Sequence, residues 1–240
     1  MNYTEYKTLM ESNGYAVINN VYTPDQINSI IAIINSANQN YSAFRKTKDL
    51  FAIRSFLQTI PSIHEILWNE GVLQLIKDLF GKDYFIIKSI YFDKPSQSNW
   101  FVPFHQDLTI SVNKKTDIPG YSAWTSKQGQ IAVQPPEYIL ENICTLRIHL
   151  DDCDENNGAL RIIPGSHKNG VQRARAIPLE NTAAICNVKK GGVMIMKPLL
   201  MHASSRSTSN QQRRVIHIEF ANVMLPEGLQ WKEFYPITKF

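Results

Sequence analysis

Cysteine is scarce in this chain: three in 240 residues, Cys144, Cys153 and Cys186. They are odd in number and lack C-x-x-C spacing, which excludes a disulfide framework and points to a reducing compartment. No uncharged apolar stretch approaches the ~18 residues a bilayer span needs. The N-terminus has no basic segment leading into an apolar run, so no secretory signal is visible. A surplus of charge is missing too, with 25 Lys and Arg against 21 Asp and Glu and a formal net charge of +4. The basic pairs, Lys114-Lys115, Arg173 with Arg175, Lys189-Lys190 and Arg213-Arg214, are scattered along the chain. Nucleic-acid surfaces concentrate their cations on one face, so that class of partner is set aside. The expectation is a cytoplasmic protein without a nucleic-acid or membrane partner.

What is present is ordinary globular composition, 43% hydrophobic and 19% charged, in a length that one β-rich domain over 1–240 can fill. Residues 1–83 read as mainly helical. Thr23-Pro24-Asp25 offers a capping hydroxyl and a proline at the first helical position, and Ile27, Ile30, Ile31 and Ile34 follow at helical spacing. Gly14–Ile18 reads as a short strand. Helices are predicted from near Pro61 and over Val72–Phe80, the latter stopped by Gly81. From Tyr84 the period changes. Short β-branched or aromatic runs, Tyr84–Phe92, Thr109–Val112, Ile143–Asp151, Leu160–Ile163, Gly192–Lys197 and Val215–Val223, alternate with turn signals. That pattern suggests a jelly-roll core over 84–223, with the N-terminal helices packed on one outer face.

The local signal with most chemistry is His105-Gln106-Asp107. Residues two apart on an extended segment project to the same side, so an imidazole and a carboxylate can take adjacent positions on a metal. H-x-D is also a common triplet that describes many surface turns. A third ligand must come from elsewhere, and His202, just after the apolar run Val193–Met196, is the best candidate. Two histidines and one carboxylate leave three open positions, which suits Fe(II) with O₂ and a chelating co-substrate. Arg213 lies at the start of a predicted strand, where a guanidinium can pair bidentately with the distal carboxylate of a dicarboxylic acid. Ser204 could add a hydroxyl to the same group. The arginine could equally belong to an exposed basic turn.

The run Asp151-Asp152-Cys153-Asp154-Glu155-Asn156-Asn157-Gly158-Ala159-Leu160-Arg161-Ile162-Ile163-Pro164-Gly165-Ser166-His167 contains a hairpin signal at Asn157-Gly158. Taken with the His-Gln-Asp triplet, His202 and the arginine beyond it, the chain resembles the phytanoyl-CoA dioxygenase family of 2-oxoglutarate-dependent oxygenases. The likeness covers about Tyr84 to Val223 well, and reaches more weakly back to Asp49. It implies a double-stranded β-helix (a cupin-like jelly roll) with flanking helices, and His105, Asp107 and His202 as catalytic iron ligands. It implies Arg213 as the main 2-oxoglutarate anchor, assisted by Ser204 and by Arg54 within Phe51-Ala52-Ile53-Arg54. Arg147 stands where family members can carry an aromatic residue beside the co-substrate. The implied reaction is hydroxylation of a C–H bond with Fe(II), 2-oxoglutarate and O₂, giving succinate and CO₂. The retained Asp107 argues against halogenation, because related halogenases carry a small residue there. The implied partner is a small molecule: an amino acid, a natural-product intermediate or an acyl thioester.

Two other readings share the ligand triplet: a non-catalytic metal- or ligand-binding jelly roll, and a zinc hydrolase. Of the other histidines, His64 and His167 read as structural. His149 and His217 sit on strand faces that could line a pocket or lie in the core. Trp100, Phe101, Phe104 and Trp124 are candidates for cavity walls or for ordinary core.

Overall fold

A computed structural model describes residues 3–37, 43–46, 51–96, 100–127, 129–172 and 183–237. Arg173, Arg175 and Asp49 lie outside the described residues. The helices are α1 (Thr4–Asn13), α2 (Pro24–Ser36), α3 (Phe56–Thr59), α4 (His64–Leu67), α5 (Glu70–Leu79) and α6 (Glu137–Glu141). The strands are β1 (Tyr15–Ile18), β2 (Phe44–Lys46), β3 (Phe51–Arg54), β4 (Phe85–Lys94), β5 (Val102–His105), β6 (Ile110–Val112), β7 (Ser122–Lys127) and β8 (Gln130–Gln134). They continue with β9 (Ile143–His149), β10 (Leu160–Ile162), β11 (Ala184–Cys186), β12 (Val193–Met196), β13 (His202–Ser204), β14 (Arg213–Ala221) and β15 (Tyr235–Pro236). Every strand predicted after Tyr84 is found with its ends within two residues of expectation. None of the described helices is long and apolar enough to cross a membrane.

α2 begins where its sequence dictates. Thr23 Oγ1 accepts from the Gln26 N–H at 3.2 Å, and Gln26 Oε1 accepts from the Thr23 N–H at 2.9 Å. This reciprocal cap is worth about 1 kcal/mol. Ile27, Ile30 and Ile34 are buried, while Ile31 is only half-buried. The helix predicted from Pro61 is interrupted: a 3₁₀ turn over Pro61–Ile63 precedes the short α4. α5 starts two residues before the predicted Val72, because the Asn69 side chain accepts from the Val72 N–H and caps the turn ahead of it.

The strands form three antiparallel sheets. The largest has the order β1-β12-β9-β14-β4-β3-β2, with β15 also paired to β4. A second runs β11-β10-β13-β5, and a third β6-β8-β7. Strand alternation gives the large sheet two unlike faces. Ile216, Ile218 and Phe220 of β14 and Leu146 and Ile148 of β9 pack with the helical residues Ile27, Ile30 and Leu75 in the main core. Each such aliphatic burial contributes about 1.5–3 kcal/mol, so this outer layer anchors the sheet. On the opposite face stand Arg213, His217 and Glu219 of β14, Arg147 and His149 of β9, and Lys88 and Lys94 of β4. Leu160 and Ile162 of the second sheet share a smaller core with Met194 and Met196 of the first. The two sheets therefore face each other as a jelly roll, closed apolar at one end and charged further along.

Candidate metal centre

Antiparallel pairing of β5 with β13 sets His105 opposite His202. Their ring centroids are 4.3 Å apart. Beyond His105 the chain leaves the strand, and the Asp107 N–H donates to the Pro198 carbonyl at 2.9 Å. That bond turns the carboxylate back toward both rings: Asp107 Oδ1 lies 3.9 Å from His105 Nε2, and Oδ2 lies 3.8 Å from His202 Nε2. One ligand atom from each of the three residues falls within 4.8 Å of the others.

The tautomers follow from the partners. His105 Nδ1 lies 2.8 Å from the Pro103 carbonyl and His202 Nδ1 lies 2.8 Å from the Leu200 carbonyl. A carbonyl only accepts, so each Nδ1 carries its proton and each Nε2 offers a lone pair to the shared point. Burial pulls the His202 imidazolium down, against the attraction of Asp107, which favours the neutral, ligating ring. For Asp107 burial by itself pushes the carboxyl up, but His202, Lys88, His217 and His105 together outweigh it and hold the pKa at about 2. A carboxylate and two imidazole lone pairs on one side of a cation is the donor set suited to Fe(II) with open positions.

Gln106 was not singled out from sequence, yet it holds the two ligands in place. Its side chain is buried. Its amide donates to the Leu199 carbonyl at 2.7 Å and the Gly170 carbonyl at 2.9 Å, and its Oε1 accepts from the Gln172 N–H at 2.8 Å. Gln106→Ala is expected to cost about 1–3 kcal/mol of stability, since it strands buried backbone groups, and to weaken metal binding about tenfold. Denaturant unfolding and metal titration check this. An unchanged metal affinity would show that the Asp107–Pro198 bond alone holds the loop.

The triplet opens into a cavity of about 280 Å³ that also takes in Arg147, Ser204 and Arg213. Arg213 is 4% exposed, and its Nε and Nη1 find no hydrogen-bond partner among the described residues. Buried guanidinium N–H groups left unpaired are costly, so this end of the cavity is built to receive acceptors. Ser204 Oγ donates to the Gly158 carbonyl at 3.2 Å beside it. Gly158 has φ +87°, and a Cβ there would meet Lys94 Nζ and the Ser205 carbonyl at 2.8 Å, so the Asn157-Gly158 turn needs glycine for space as well as for conformation. Lys94, another residue sequence reasoning missed, sits opposite Arg213 in register and is 1% exposed. Burial, then the neighbouring Arg213, bring its pKa down to about 8. Its alternation with Lys88 on β4 was the available signal.

Arg147 lies in the same cavity, and its Nη1 is 3.1 Å from His217 Nδ1. A guanidinium only donates, so His217 Nδ1 accepts and its Nε2 donates to Glu219 Oε1 at 3.0 Å. Lys88 Nζ donates to the same oxygen at 2.7 Å. Burial, with Arg213 next, lowers the Arg147 pKa to about 10. Arg54 is not in this cavity. It faces the same side of the large sheet, opposite Ile90, but lines an adjoining cavity that shares Lys88 and Ile90 with the first.

The remaining candidates divide. Trp100 lines the metal cavity. Phe101 is exposed beneath Arg206, Phe104 lies under Arg161, and Trp124 packs into a separate apolar core. His64 is structural, bridging the Leu57 carbonyl and the Trp68 indole N–H. His149 is buried with both ring nitrogens unpartnered among the described residues, and burial first, then Arg147 and Arg213, drive it well toward the neutral form.

Comparison with known proteins agrees with this geometry. The family described as Phytanoyl-CoA dioxygenase (PhyH) matches residues 10–215. A curated relative, phytanoyl-CoA dioxygenase 1 of Oryza sativa subsp. japonica, is 26% identical over 195 residues, covering 72% of this chain and 56% of that protein. The chain spans about half the length of the curated relatives it matches. The crystal structure of AviO1 from Streptomyces viridochromogenes Tue57 superposes with a TM-score of 0.65 at 19% identity, covering 94% of this chain and 97% of that one. HygX from Streptomyces hygroscopicus, solved with nickel and 2-oxoglutarate bound, gives 0.64 at 14% identity, covering 90% and 86%. Likeness at these identities establishes the jelly-roll fold, and the match over most of the sequence establishes the family. With its paired sheets and its His-Asp-His cluster, the chain belongs to the phytanoyl-CoA dioxygenase family.

Proposed function

We infer that this protein is an Fe(II)- and 2-oxoglutarate-dependent dioxygenase that hydroxylates a C–H bond of a small-molecule substrate. One observation carries the reading: a three-ligand cluster and a buried arginine with unpartnered N–H groups share one cavity. A metal site alone has no use for such an arginine. A dicarboxylate that chelates the metal at one end and pairs with a guanidinium at the other uses both. HygX, which shares the fold, was solved with nickel and 2-oxoglutarate bound, and this supports a metal and that co-substrate here.

In this reading His105, Asp107 and His202 hold the iron, which with 2-oxoglutarate and O₂ supplies the oxidising chemistry. The chain's own residues do the positioning. Pro103 and Leu200 fix the imidazole tautomers through their carbonyls. Arg213 takes the distal carboxylate, with Ser204 and Lys94 beside it and Arg147 along the cavity wall. Asp107 stays ionised at neutral pH, so it would supply the anionic ligand to the metal. The apolar wall at Trp100 and Leu160 limits water near the reacting atoms.

The test is aerobic turnover of purified protein with Fe(II), 2-oxoglutarate and pooled small metabolites. Succinate is expected to form only when iron, 2-oxoglutarate and O₂ are all present, and faster when the pool contains the substrate. A non-catalytic binding protein would take up metal and 2-oxoglutarate without forming succinate, and a zinc hydrolase would be indifferent to both 2-oxoglutarate and O₂.

A further inference from the structure

The cavity that adjoins the metal centre has a volume of about 300 Å³ and walls unlike those of an acyl-chain pocket. Its inner wall comes from the large sheet, with Arg54 on β3 and Lys88 and Ile90 on β4. Its outer wall is one face of the three-stranded sheet. There the register sets Ser111 opposite Ala132, Ala132 opposite Thr125, and Lys127 opposite Gln130. The other face of that sheet is apolar, with Ile110, Val112, Ile131 and Val133 in or against a core. An amphipathic sheet ordinarily turns its polar face to open water. Here the face closes over two cations of the large sheet and forms a groove.

Three basic residues from three different strands line it: Arg54, Lys88 and Lys127. Lys88 is paired with Glu219. Arg54 and Lys127 make no ion pair among the described residues. The groove's acid, Glu233, is occupied within the fold, accepting from the Ser89 N–H at 2.9 Å and from Ser89 Oγ at 2.5 Å. Hydroxyls of Thr109, Ser111 and Thr125 add neutral donors. Only Ile90 and Ala132 are apolar among the described lining residues, whereas a pocket for a hydrocarbon chain would be mostly apolar.

The position fits a substrate site. Thr109 follows Asp107 by two residues, and Lys88 and Ile90 line both cavities. Arg213 pairs in register with Lys94, and Glu219 with Lys88. Those two pairs are six positions apart along β4, roughly 20 Å of strand. The co-substrate anchor and the groove therefore lie toward opposite ends of the charged face.

We propose that this groove binds an oxyanion of the substrate, a carboxylate or a phosphate, through Arg54 and Lys127, and so holds a small polar substrate beside the metal centre. The assignment rests on the dioxygenase reading, and it deepens it by naming the charged group that the substrate presents to this groove. A guanidinium and an ammonium that converge on one cleft recognise either oxyanion.

The experiment is amide chemical-shift mapping of the ¹⁵N-labelled full chain, without metal, titrated separately with inorganic phosphate and with propionate. Saturable shifts are expected at Thr109, Ser111, Thr125 and Lys127, and the tighter of the two probes identifies the group. Arg54→Gln and, independently, Lys127→Gln are each expected to weaken binding about fivefold or more. Lys127 is exposed, so its variant keeps the test valid if Arg54→Gln folds poorly. Shifts confined to Arg213 and Ser204, affinities unmoved by both variants, or no binding of either probe would overturn the proposal. A second titration, with manganese and 2-oxoglutarate, reads the dioxygenase assignment separately. Manganese should sharply shorten the proton relaxation times of bound 2-oxoglutarate, and failure there with anion binding intact would sink the co-substrate reading while leaving the groove an oxyanion site.

Discussion

Asp107→Ala is expected to reduce 2-oxoglutarate-dependent succinate formation about a thousandfold or more, equivalent to roughly 4 kcal/mol in the barrier. The carboxylate is the only anion in the ligand cluster, and it touches both imidazole Nε2 atoms at under 4 Å. Without it the site keeps two neutral donors and loses the charge that opposes a divalent cation. Metal content after desalting should fall in parallel. The fold should survive, because the Asp107 backbone N–H still bonds Pro198, and the side chain, 31% exposed, is not packed in the core. His202→Ala should behave alike in turnover while costing more stability, since that ring is buried at 5% exposure. Turnover near the parent level in Asp107→Ala, with iron still bound, would falsify the ligand assignment.

Arg213→Met is expected to raise the 2-oxoglutarate concentration needed for half-maximal turnover about a hundredfold. That is the loss anticipated when a buried, charge-assisted, two-pronged pair is removed. Metal binding should change little, because Arg213 makes no contact with the three ligands. Stability gives the discriminating readout. In the unliganded protein Arg213 buries its Nε and Nη1 without hydrogen-bond partners among the described residues, beside Lys94 and near Arg147. Removing a buried guanidinium whose polar groups are incompletely paired removes a desolvation cost, so the melting temperature is expected to hold or rise. A variant that melts at or above the parent temperature yet needs far more 2-oxoglutarate identifies an arginine kept for its ligand. A variant that melts much lower, with its 2-oxoglutarate requirement unchanged, would identify a structural one.

The cluster was legible because its residue types are chemically narrow. An imidazole and a carboxylate two apart, with a histidine after an apolar strand, suggest a donor set, and the family resemblance narrowed that suggestion to these three residues. The main core was legible as well, since the β9 and β14 runs alternate and the α2 isoleucines follow helical spacing. The hairpin of β7 and β8 left little trace: Ser122, Thr125, Ser126 and Lys127 are small or polar, and half of each strand's pattern faces a groove rather than a core. Gln106 gave no signal of its own in the sequence. Its role depends on backbone carbonyls at Leu199 and Gly170, and no side-chain pattern encodes those. Arg54 was placed by motif similarity beside the co-substrate. The register of β3 on β4 carries it to the adjoining groove, in the same cross-strand row as His217 but two strands away, with Ile90 between them.

The sequence by itself determined which atoms could bind a metal and which strands would alternate, because both depend on residue type and on spacings of a few positions. The tertiary structure decided what those atoms meet. Residues 105 and 202 become neighbours only through the pairing of β5 with β13. Whether an arginine is satisfied or left with open N–H groups depends on side chains brought from distant strands. The physical reason is range: propensity and periodicity act over one or two turns of chain, whereas burial, pairing and field strength are sums over everything the fold packs around a point.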